Sequence, residues 1–162
     1  MKLVTYTNSD ISAIGAQVEE QIIPFSNDSS LPNEMIAFLE GGEANIAKAK
    51  EVIAKADNSI PLSSVTLLSP ILNPQKILAV GLNYADHIEE TKMEKPKIPM
   101  IFNKQSSSVV GDQAPVHLPK VSEALDYEAE MAFVIGQKCR HVSKEDAPSV
   151  IAGLTICNDI SV

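Results

Sequence analysis

Residues 125–136, LDYEAEMAFVIG, constrain the fold more than any other stretch, because charged and apolar side chains alternate there with a period of two. That period belongs to a β-strand, where successive side chains point to opposite faces. Tyr127, Ala129, Met131, Phe133 and Ile135 then share one face, which is expected to be core. Asp126, Glu128, Glu130, Ala132 and Val134 share the other, which begins acidic and turns apolar. Residues two apart on one face have Cα atoms roughly 6 to 7 Å apart, so the carboxylates of Glu128 and Glu130 can close on a common point. Two ionised carboxylates meeting there repel strongly unless one is protonated or a cation lies between them. Hard oxygen ligands without a thiol or imidazole partner favour Mg²⁺, Mn²⁺ or Ca²⁺ over Zn²⁺. The same alternation also suits a strand whose acidic end faces water and keeps a sheet edge soluble, and the pattern alone leaves both readings open.

A third acid bears on that choice. Ser143 and Asp146 have the spacing of a capping box that opens a short helix around Pro148, and Gly153 is expected to end it. LTICNDISV, from Leu154, then reads as a strand with Thr155, Cys157, Asp159 and Ser161 on one face. If this strand pairs near residues 126–136, Asp159 completes a set of three carboxylates; otherwise it is a strand-terminal residue beginning a turn.

KILAVGLNYADHIEET supplies other chemistry. Residues 77–80 form a short apolar run that predicts a buried strand, Gly81 allows a tight exit, and Asn83 predicts a helix cap. His87 and Glu90, three apart on the following helix, share a face. A carboxylate beside an imidazole holds its tautomer and raises its basicity, as a general base requires, although the same spacing is commonplace on solvated helices. TKMEKPKIP reads as an exposed loop, and MIFNKQ as a strand with Lys104 at its end, facing either an anionic substrate or water. Beyond it lie a Ser-rich turn at 106–108 and a bend at Gly111-Asp112. His117 is expected on an exposed strand edge; neither it nor His141 is given a role. Cys139 and Cys157 are too far apart for a metal knuckle and are expected to be buried free thiols.

The first seventy residues contain strand-like runs KLVTYT, SAIGAQV and QIIPF. They also contain a helix EANIAKAKEVIAKA, in which Ile46, Ala49, Val52 and Ile53 recur at helical spacing. Gly41-Gly42 breaks the helix formed by NEMIAFLE, and Pro61 and Pro70 punctuate the stretch around SSVTLLSPIL. A small accessory domain over 1–70 and a second region over 71–162 are expected. With 162 residues and 44% hydrophobic composition, the chain can bury a core. A net charge of −8, with Arg140 the only arginine, lacks the electrostatic footprint of a nucleic-acid binder. The start carries no secretory pattern and no window is apolar for long enough to cross a membrane, so a soluble, cytoplasmic protein with no membrane partner is expected.

KILAVGLNYADHIEE, LDYEAEMAFVIG with VSKEDA, and IAGLTICNDIS occur in an order and spacing that resemble the fumarylacetoacetate hydrolase family. The similarity is to its branch of acylpyruvate hydrolases, oxaloacetate decarboxylases and 2-hydroxyhepta-2,4-diene-1,7-dioate isomerases. The resemblance implies an α+β, mainly β fold: an incomplete mixed β-roll or β-sandwich preceded by a small α+β N-terminal domain. It implies Mg²⁺ or Mn²⁺ on Glu128, Glu130 and Asp159, and a His87–Glu90 dyad that activates water. It also implies a substrate-binding Lys104, although Gln105 stands where the family usually has proline. The activity implied is metal-dependent cleavage of a C–C bond in a small β-diketo acid, with decarboxylation or isomerisation as alternatives on the same scaffold. The family usually continues well beyond this point, so the chain is expected to be a fragment or to need a companion chain. A catalytically silent fragment or interaction module is the alternative to the enzyme reading, and a homodimer is expected of a complete protein.

Overall fold

The computed structural model describes residues 1–8, 11–92 and 94–162, with the side chains at 87, 90 and 91 outside the description. The fold is α+β and mainly β. Strands β1 (Lys2–Thr7), β2 (Ser12–Val18), β3 (Gln21–Pro24), β4 (Ile60–Pro61) and β5 (Thr66–Leu68) form one antiparallel sheet in the order β4-β3-β2-β1-β5. Apolar side chains leave both faces of this sheet, so its strands read as nearly continuous hydrophobic runs. On one face Ile14, Ala16, Ile23 and Phe25 pack with Phe38, Ala49 and Val52 of the helices; on the other Val4, Tyr6 and Ile22 pack with Ile60, Leu62, Val65 and Leu67. Phe25 and Phe38 are fully buried and stacked, with ring centroids 4.9 Å apart.

Helices α1 (Met35–Glu40) and α2 (Gly42–Ala54) meet at the glycine pair. Glu34 caps α1, its carboxylate accepting from the Ile36 and Ala37 amides. Gly42 has φ +55°, which a β-carbon would strain, and Asn45 Nδ2 donates to the Phe38 carbonyl left open by the break. The expected helical face is observed: Ala49 and Val52 are buried, and Ile46 and Ile53 pack beside them.

Asp28 ties this layer together. Its carboxylate accepts from the Ser30 hydroxyl and amide and lies 3.1 Å from Lys48 Nζ. The Ser30 bonds foremost, with help from Lys48, hold it at about 2 against the ordinary 3.8. Because the folded-state value is depressed, this contribution to stability is complete above the ordinary value and drains away as pH falls toward the folded one. Asp28→Asn is expected to flatten this segment of the acid limb in a pH series of urea melts, and an unchanged limb would refute the assignment.

The remaining strands form two antiparallel pairs. β6 (Ile77–Gly81) pairs with β7 (Met100–Lys104), and β8 (Ala129–Ile135) with β9 (Ile151–Asn158). Helix α3 (Ala85–Thr91) comes after β6. The loop after β7 returns to the first sheet at Gly111, where a β-carbon would lie 2.8 Å from the Leu67 carbonyl oxygen. Such close backbone approach requires glycine.

Several local expectations are corrected. β6 is not buried throughout: Ala79 is, but Leu78 and Val80, which share its other face, are exposed, because that face is left largely uncovered among the described residues. The backbone exit falls at Leu82, with φ +54°, rather than at Gly81. Gly153 lies within β9, since the turn built on Ser143 and Asp146 is a single 3₁₀ turn, Ala147–Val150, that leads directly into the strand. His117 lies in a loop rather than on a strand, and both cysteines are exposed. On β8 and β9 the face carrying Glu130, Ala132, Val134 and Thr155 is the half-covered one, whereas Tyr127, Met131, Phe133, Ile135, Leu154 and Ile156 face outward, Ile156 with 85% of its surface free. Among the described residues, no helix is long and apolar enough to cross a membrane.

Candidate metal and catalytic site

The β8–β9 register brings the predicted acids to one face. Asp126 and Ser161 exchange both backbone hydrogen bonds, at 2.9 and 3.2 Å, and Glu130 lies opposite Cys157. Between them Glu128 faces Asp159, with the Asp159 amide donating to the Glu128 carbonyl at 2.8 Å. Directly opposed residues of this hydrogen-bonded type have Cα atoms about 5.5 Å apart. The reciprocal bond is diverted: the Glu128 amide donates to the Asn158 side-chain oxygen at 3.0 Å. Asn158 thus fixes the acid pair from the neighbouring position, a role the sequence pattern did not reveal.

Burial differs sharply among the three acids. Asp159 is only 7% exposed, Glu130 is half-covered and Glu128 is open to solvent. The Asp159 carboxylate touches the Lys104 ammonium, which also donates to the Ile160 carbonyl at 3.2 Å. Lys104, at the end of β7 as expected, therefore joins β7 to the end of β9. Asp159 Oδ1 is buried and receives no hydrogen bond of good geometry, so the ammonium is its only cationic neighbour among the described residues.

Glu130 has a different partner. Asn83 Nδ2 donates to its Oε1 at 3.0 Å, and the adjacent Tyr84 hydroxyl donates to the Ala129 carbonyl. Asn83 is therefore not the α3 cap; Tyr84 holds that position and makes no side-chain capping bond. Both bonds run from the β6–α3 turn to β8 and bring the start of α3 beside the acidic strand. His87 and Glu90 belong to α3, and their side chains lie outside the described residues. Cys157 shares the acidic face. Its thiol is pushed above its ordinary range, first by desolvation and then by the charges of Glu130 and Asp159, with Lys104 opposing. The thiol stays neutral and adds no charge there.

Among the described residues, no group of three or more His, Cys, Asp and Glu side chains is gathered closely enough to cage an ion. The donor chemistry nonetheless fits a hard divalent cation: one buried carboxylate whose charge is matched at present by the Lys104 ammonium, a second directly across the ladder and a third two residues along the same face. Lys104 and Asn83 hold two of the three acids in their present positions.

The chain belongs to the fumarylacetoacetate hydrolase family, whose C-terminal model matches residues 76–162. It is 40% identical over 166 residues to a mitochondrial oxaloacetate tautomerase of Xenopus laevis, covering 99% of this chain and 52% of that protein. It is 44% identical over 134 residues to a mitochondrial oxaloacetate tautomerase of Rattus norvegicus, covering 83% and 43%. Among solved structures it resembles maleylpyruvate hydrolase from Sphingobium sp. SYK-6 in complex with manganese(II) and pyruvate. There the TM-score is 0.82 at 25% identity, over 100% of this chain and 59% of that one. The chain thus spans about half the length of the curated relatives it matches.

Proposed function

We propose that this chain carries the acid-bearing and proton-transferring portion of a divalent-metal-dependent enzyme acting on small 2-keto acids. The observation that carries the reading is the pairing of Glu128 with the buried Asp159 across the β8–β9 ladder, with Glu130 on the same face. Glu128, Glu130 and Asp159 would hold Mg²⁺ or Mn²⁺; a bound ion would supply Lewis-acid polarisation of the substrate's keto oxygen. Lys104 balances Asp159, and its ammonium would receive the carboxylate of the substrate. His87, oriented by Glu90, takes a proton from the carbon next to the keto group or from water.

Which proton moves decides the reaction. Removal from carbon and return to oxygen is tautomerisation, and relatives at 40% and 44% identity named oxaloacetate tautomerases favour that outcome. Removal from water, which then attacks a distal carbonyl, is C–C hydrolysis of an acylpyruvate, and the likeness to a maleylpyruvate hydrolase favours it as the second reading. The substrate's charge and the enzyme's fold are common to both.

The test combines binding with turnover. Mn²⁺ should bind the wild-type chain in calorimetry, and failure to bind would overturn the reading. His87→Ala should leave that affinity within about twofold while lowering oxaloacetate tautomerisation, monitored by enol absorbance, about a hundredfold. Undiminished turnover in the variant would remove His87 from the mechanism.

A further inference from the structure

We infer that Lys104 is a built-in plug: in the ion-free chain its ammonium stands in for the cation on Asp159, and it withdraws to the Ile160 carbonyl when an ion arrives. The inference rests on the metal-dependent reading above. Lys104 Nζ touches Asp159 Oδ1 and also donates to the Ile160 carbonyl at 3.2 Å. The Asp159 side chain keeps 6% of its surface exposed and the Lys104 side chain 28%, so the lysine is the solvent-side member of the pair. An ion coming from water meets the ammonium before it meets the carboxylate.

This closed arrangement accounts for two observations together. Among the described residues the acids are not drawn into a cage, yet Asp159, the most buried of the three, is not left with an uncompensated charge. A buried carboxylate without a cation is costly, and the ammonium supplies what is missing. It also obstructs. Even on separate oxygens of one carboxylate, an ammonium and a divalent ion would lie a few ångströms apart in a partly buried site, where like charges repel far more strongly than in water. The lysine is the end of the pair that is cheaper to release, because water and the Ile160 carbonyl are both within its reach.

The Ile160 carbonyl gives the displaced ammonium a second station. It is neutral, and its place is fixed from both sides: the Asp159 amide donates to the Glu128 carbonyl at 2.8 Å and the Ser161 amide to the Asp126 carbonyl at 3.2 Å. An ammonium on a flexible four-carbon stem has three donors, so it can release Asp159 while keeping Ile160. There it stays beside the acids with donors free for an anionic group. Binding is therefore ordered. The ion comes first, and only its arrival makes the ammonium available to the carboxylate of a keto acid.

The experiment has two arms on the full chain. In the first, wild-type protein is acylated briefly by an amine-reactive ester with and without Mn²⁺, and labelling at Lys104 is read by peptide mass spectrometry against the exposed Lys144. Lys104 should react faster with Mn²⁺ present, a change that a lysine serving only as a fixed support would not show. The second arm measures Mn²⁺ dissociation constants by calorimetry. Lys104→Met should bind Mn²⁺ about tenfold more tightly than wild type, since the competing charge is gone. Lys104→Arg, whose planar fork grips a carboxylate through two N–H groups, should bind it about tenfold more weakly. Unchanged or slower labelling of Lys104, or weaker Mn²⁺ binding in a folded Lys104→Met, would overturn the plug. Should Lys104→Met fail to fold, the labelling arm decides alone. Absence of Mn²⁺ binding in wild type and both variants would instead overturn the metal-dependent reading, and the plug with it.

Discussion

Asp159→Ala is expected to abolish the rise in melting midpoint that Mn²⁺ gives the wild-type chain. The wild-type rise is a mass-action effect: an ion at about a hundred times its dissociation constant adds about 2.7 kcal/mol to the folded state. For a chain of this size that is about 5 to 10 °C. Asp159 is the buried member of the acid set and faces Glu128 directly, so its loss removes both a ligand and the low-dielectric wall of the site. Losing a ligand should cost more than the roughly 10- to 100-fold in affinity that accompanies loss of an outer partner. The fold tolerates the change, because the freed Lys104, already 28% exposed, can turn to water. Scanning calorimetry with and without Mn²⁺ decides the matter, and a full Mn²⁺ response in Asp159→Ala would take this residue out of the site.

Lys104→Met should do more damage in the absence of metal than Asp159→Ala. Methionine keeps much of the apolar stem but removes the ammonium, leaving the Asp159 carboxylate buried with no cation beside it. Breaking a buried pair from one side costs on the order of 3 kcal/mol, because the surviving charge is uncompensated. The expected drop in midpoint is about 6 to 12 °C. Mn²⁺ should recover much of it, since a divalent ion supplies the missing charge. The double variant Lys104→Met/Asp159→Ala, with neither charge left behind, should melt above Lys104→Met alone. A Lys104→Met protein that melts like wild type would show that Asp159 does not depend on this lysine.

Much of this architecture is legible from periodicity. Alternation over residues 125–136 identifies β8, and the recurrence of Ile46, Ala49, Val52 and Ile53 identifies α2, because each pattern matches one backbone geometry. The cross-strand meeting of Glu128 with Asp159 is only conditional on sequence alone, since alternation gives a residue's face but not its partner. Asn83 departs from its expected capping role for a physical reason. An amide just before a helix can satisfy the helix's own open N–H groups or reach a neighbouring strand, and local sequence cannot say which is nearer. The apolar run of β6 predicts burial on both faces, which needs a packed layer over each, and only one of its faces is covered among the described residues. Lys104 can be placed at a strand end from sequence, but its contact with Asp159 joins residues 55 positions apart and depends on tertiary geometry.

The outward row of Tyr127, Met131, Phe133, Ile135, Leu154 and Ile156 has a practical corollary for anyone handling this polypeptide. A wet, greasy ribbon of that length invites self-association as concentration rises. Salting-out agents will aggravate the stickiness and dilute denaturant will ease it, independently of whether the acids on the reverse side hold an ion.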